Sequence, residues 1–68
     1  MSANQDRRLL KSYIMLHFDN QGDFGRAVEM TPSDVSQVLK GREKLTLDQA
    51  GRWTSILHCP AFIIQPFV

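Results

Sequence analysis

Three helix-start signals, at Asn20, Thr31 and Thr46, cut this 68-residue chain into short segments. Each is a residue whose side-chain oxygen can accept from a backbone N–H of the coming helix, with a polar partner three positions on. Asn20 precedes Asp23, Thr31 precedes Asp34 with Pro32 at the first helical position, and Thr46 precedes Gln49. Apolar residues at spacings of three and four fill the intervals. Leu9, Leu10, Tyr13, Ile14 and Phe18 predict an amphipathic helix from Asn4 to Phe18, where neither Gly nor Pro interrupts. Phe24, Gly25 and Val28 predict a second helix from Asn20 to about Glu29. Val35, Val38 and Leu39 give a third, from Pro32 to a stop at Gly41. Leu47, Ala50, Trp53, Ile56 and Leu57 form the inner face of a fourth, which fades at His58 before Pro60, and Leu45 is placed to staple onto Ala50. The expectation is an all-α fold, a compact bundle of four to five short helices. Residues 1–4 are expected to be disordered, and the apolar tail over 60–68 to be either a helical turn or an extended strand.

This length holds one domain, 1–68, and a chain so short buries only about 60% of its unfolded surface, which leaves no room for a deep substrate pocket beside the core. Neither a Gly-rich phosphate loop, a zinc motif nor a nucleophile–base pairing is found, so an enzyme, a cofactor and a small-molecule substrate are not expected. His17, His58 and Cys59 do not make a metal site at their spacing. The single cysteine permits no internal disulfide, no secretory leader pattern opens the chain, and no apolar run approaches the roughly 18 residues of a membrane span, so a soluble cytoplasmic protein is expected. A net charge of +1 is too small to point to a nucleic-acid partner, and the distribution of charge has to decide.

The helix pattern singles out Gln21 to Lys40, and the basic cluster Lys40, Arg42 and Lys44 lies at its end. Two short helices joined by a tight turn, with small Gly25 in the first and branched apolar residues in the second, make a helix-turn-helix candidate. Packing through Phe24, Val28, Met30, Val35 and Val38 would turn the polar face of the third helix outward. Gln37 can donate to and accept from adenine together, and Ser33 and Ser36 can bond to several base edges. Lys40, Arg42 and Lys44 cluster where a phosphate backbone would pass, and backbone N–H groups at the start of the second helix suit a phosphate beside Gln21. Arg7, Arg8 and Lys11 read as a solvated face of the first helix.

The run from Gln21 to Gly41 resembles the lambda-repressor and Cro type of helix-turn-helix family. The likeness extends through Leu45-Thr46 and the Trp53 to Leu57 helix, and so covers roughly residues 5 to 60. It implies a sequence-specific DNA-binding transcriptional regulator, a Cro-like repressor of phage or bacterial origin. Gln21 would meet a phosphate, Thr31 would cap the recognition helix, and Pro32, Ser33, Ser36 and Gln37 would face the major groove. Gly25 stands where the family usually has Ala, and Glu29 where it usually has the turn Gly, which requires either a left-handed Glu29 or a different turn. The alternative is a protein-interaction module, an antitoxin or adaptor, on the same fold. A two-fold operator needs a two-fold protein, and the apolar Phe62, Ile63, Ile64, Phe67 and Val68 are the expected homodimer interface; the alternative is a tail that folds back over its own core in a protein monomeric off DNA.

Overall fold

The computed structural model describes the backbone of residues 3–68 and the side chains of residues 5–68. The described chain is all-α: α1 (Ala3–His17), α2 (Gln21–Ala27), α3 (Pro32–Leu39), α4 (Leu47–Leu57) and α5 (Ala61–Ile64), closed by a 3-10 turn over Gln65–Phe67. Of the residues expected to be disordered, Met1 and Ser2 lie outside the described residues. Ala3 and Asn4 are instead already helical, since nothing at Ala3, the best helix former, halts the first turn.

All three predicted starts form. Asn20 Oδ1 accepts from the Asp23 amide at 2.9 Å, and Thr31 Oγ1 from the Asp34 amide at 3.1 Å. Only Thr46 makes the reciprocal box, its amide donating back to Gln49 Oε1 at 3.0 Å. Gln49 has the reach that Asp23 and Asp34 lack by one methylene.

α2 ends earlier than its apolar pattern predicts. Glu29 adopts φ 59, its amide donates to the Arg26 carbonyl at 3.2 Å, and the Met30 amide donates to the Gly25 carbonyl at 2.7 Å. This is a Schellman stop with glutamate in the left-handed position that glycine normally takes. The turn brings the backbone so close that a Cβ on Gly25 would lie 2.7 Å from the Met30 carbonyl oxygen. Glycine is therefore required here by contact, and not merely permitted. α3 stops in the same way at Gly41, φ 77, with the Arg42 amide reaching the Gln37 carbonyl at 2.9 Å and the Gly41 amide the Val38 carbonyl at 3.0 Å.

The core gathers around Trp53, which is fully buried. Phe24 meets its ring edge-on at 4.7 Å between centroids, Phe18 meets Phe24 at 5.4 Å, and the indole N–H points to Met30 Sδ at 3.3 Å. Leu10 and Ile14 of α1, Val28, Val35 and Val38, Leu45 and Leu57 complete it. Two residues assigned to inner faces by periodicity lie outside: Leu9 is 43% exposed and Leu47 is 82% exposed. Leu47 is the first residue of α4, before the helix reaches the core.

The tail resolves as helix, and it corrects the expected dimer interface. Ile63, Ile64 and Phe67 are core residues of this chain, not a free apolar surface. α5 packs on α1 and α4, and the Leu45 amide donates to the Phe67 carbonyl at 2.7 Å, which ties the end of the tail to the loop after α3. Of the five predicted interface residues, only Phe62, 64% exposed, and Val68, 41% exposed, remain at the surface.

Candidate nucleic-acid interface

α3 is held by one face and open on the other. Val35, Val38 and Leu39 are buried against the core, while Thr31, Pro32 and Ser33 are exposed and Ser36 and Gln37 half-buried. The predicted reading residues thus share one short helix and reach solvent together. Thr31 spends an acceptor lone pair on its cap, which leaves its hydroxyl proton free to donate outward. The Asp34 carboxylate does not bond back to Thr31, so the outer side of α3 keeps one half-buried negative group near its start.

The predicted anchors Lys40, Arg42 and Lys44 are all exposed and follow α3 directly. The loop that carries them is fixed, because the Arg42 and Glu43 amides both donate to the Gln37 carbonyl, at 2.9 and 3.3 Å. Gln37 therefore holds the basic loop through its backbone while its side chain stays available. Lys40 and Lys44 line a cleft with Asp6, Glu43 and Pro66, where charges of both signs meet.

A second groove joins residues from three helices. Gln21 of α2, Ser36 of α3 and Lys40 just after it face Arg7, Arg8 and Lys11 of α1 across it. Periodicity alone assigned those α1 cations to solvent. They are indeed exposed, and their grouping at positions i, i+1 and i+4 puts them on one side of the helix without saying what that side faces. Arg26 and Arg52 are engaged elsewhere, with Asp23 at 3.9 Å and with Glu29 at 2.9 Å. The second pair braces the left-handed turn residue from α4.

The remaining chemistry-bearing groups make no site. Cys59 is a buried free thiol, and desolvation pushes its pKa up, away from the reactive thiolate. The His17 and His58 rings pass at 5.8 Å at the ends of α1 and α4, and no cluster of three metal-ligating side chains occurs among the described residues. No helix among the described residues is long and apolar enough to cross a membrane. In comparisons with known proteins, no family model, no curated protein and no solved structure matches this chain.

Proposed function

We propose that the chain is a sequence-specific DNA-binding transcriptional regulator of the repressor type, with α2 and α3 acting as a helix-turn-helix and α3 entering the major groove. The observation that carries this reading is the division of α3 into a buried apolar face and an open polar one, continued at its end by a fixed loop of cations. Pro32, Ser33, Ser36 and Gln37 read base edges, Gln37 by the paired donor and acceptor that adenine matches. Gln21, Thr31, Lys40, Arg42 and Lys44 hold phosphates and so fix the register of α3. No cofactor or catalytic residue enters this account, and the protein works where bacterial or phage DNA lies, in the cytoplasm or nucleoid.

A two-fold operator is read by a homodimer. With Ile63, Ile64 and Phe67 in the core, the surface left for a second copy is Phe62 beside Leu9, and Val68 beside the exposed Leu47 across a shallow groove between α4 and the tail.

The test is the salt dependence of binding to duplex DNA. The affinity is expected to fall steeply with salt, and Arg42→Ala or Lys44→Ala to weaken binding to all sequences alike while reducing the log–log slope by about one each. Absence of duplex binding, or binding that ignores salt, would count against this reading.

A further inference from the structure

The groove between α1 and α3 gathers four cations, Arg7, Arg8, Lys11 and Lys40, all exposed, in a chain whose net charge is only +1. No acidic residue lines it, in contrast to the neighbouring cleft, which holds Asp6 and Glu43. Arg8, Lys11 and Lys40 have no carboxylate within ion-pair distance among the described residues. Such a concentration repels itself in the free protein, and an anion in the groove would relieve that repulsion. Gln21 and Ser36 add neutral hydrogen-bonding groups between the cations, as a row of phosphate oxygens requires. The groove is open and Leu39 is its one apolar lining residue, unlike the concave apolar sites that take small molecules.

Ser36 on α3 and Lys40 at its C-cap belong both to this groove and to the side of the helix that reaches solvent. An extended anion lying in the groove therefore continues along the face proposed to read bases. We infer that the α1–α3 groove is a second backbone subsite, in which Arg8 and Lys11, flanked by Arg7, hold a phosphate run of the same duplex that α3 enters. This rests on the DNA-binding reading and extends it, because clamping the backbone from α1 as well as from the loop over 40–44 fixes the tilt of α3 in the groove.

The experiment is a titration of a random-sequence duplex of about 20 base pairs, two helical turns, from 50 to 200 mM salt. It compares wild type, the double variant Arg8→Gln/Lys11→Gln and the charge-preserving Arg8→Lys/Lys11→Arg, with amide chemical shifts recorded on the wild type. Two lost contacts at about 0.9 each make the log–log slope of the Gln variant shallower by about 1.8, so its deficit against wild type changes about tenfold across that range. The charge-preserving variant keeps the wild-type slope, and wild-type amides from Arg7 to Ser12 shift together with those of α3. If wild type binds and α3 shifts, but the α1 amides stay silent and the Gln variant keeps the full slope, the inference is overturned while the DNA-binding reading stands. If wild type binds no duplex, both fail. The amide shifts come from wild type alone and decide even if the Gln variant does not fold.

Discussion

Gly25 and Glu29 show how a single residue sets the angle between α2 and α3. Glu29 takes a left-handed conformation that costs a non-glycine residue about 1–2 kcal/mol, and its ion pair with Arg52, half-exposed, returns less than about 1 kcal/mol of that. The turn persists because the buried packing of Phe24, Val28 and Val35 on either side determines it. Gly25 is the counterpart, with the Met30 carbonyl where a Cβ would be. Backbone cannot swing aside as a flexible side chain can. Gly25→Ala is therefore expected to destabilise the domain by about 1–3 kcal/mol in urea unfolding, although alanine is the better helix former by about 1 kcal/mol. A stabilised Gly25→Ala protein would show that the turn is looser than described.

Among the elements, legibility followed the range of the interactions. The starts of α2, α3 and α4 were readable because a cap joins residues three apart, and the stop at Gly41 because glycine marks it. The turn that ends α2 was only half readable: Glu29 in the place of the turn glycine left a left-handed residue or a different turn open, and the fit of Met30 over Gly25 selects the first. The tail was the largest miss. Its five apolar residues are equally consistent with a free interface and with core, and what decides is non-local: the Phe67 carbonyl on the Leu45 amide, and α5 on α1 and α4. This yields a contrast within one short segment. Phe67→Ala is expected to cost about 3–5 kcal/mol of stability, as loss of a buried aromatic does. Phe62→Ser is expected to change stability by no more than about 0.5 kcal/mol while shifting sedimentation from dimer to monomer. A wild-type chain that sediments as a monomer at tens of micromolar, or a Phe62→Ser variant that remains dimeric, would remove the proposed interface.

For the whole molecule, 28 × 21 × 18 Å in extent, the arrangement of charge matters more than its sum. The residues proposed to read bases on α3 were legible from chemistry in one stretch of sequence, whereas the role proposed for the α1 cations emerged only when packing set them across a groove from Ser36 and Lys40. DNA recognition as proposed depends on α3 being a reading helix and Gln37 a base reader. Selection of bound duplexes from a random pool, run in parallel with wild type and Gln37→Ala, tests this most directly. Wild type is expected to enrich a two-fold symmetric sequence with half-sites about 34 Å apart. Gln37→Ala is expected to lose preference at one position per half-site, at about 1–3 kcal/mol. A pool that remains random with wild type, or an enriched sequence unchanged by Gln37→Ala, would contradict the account.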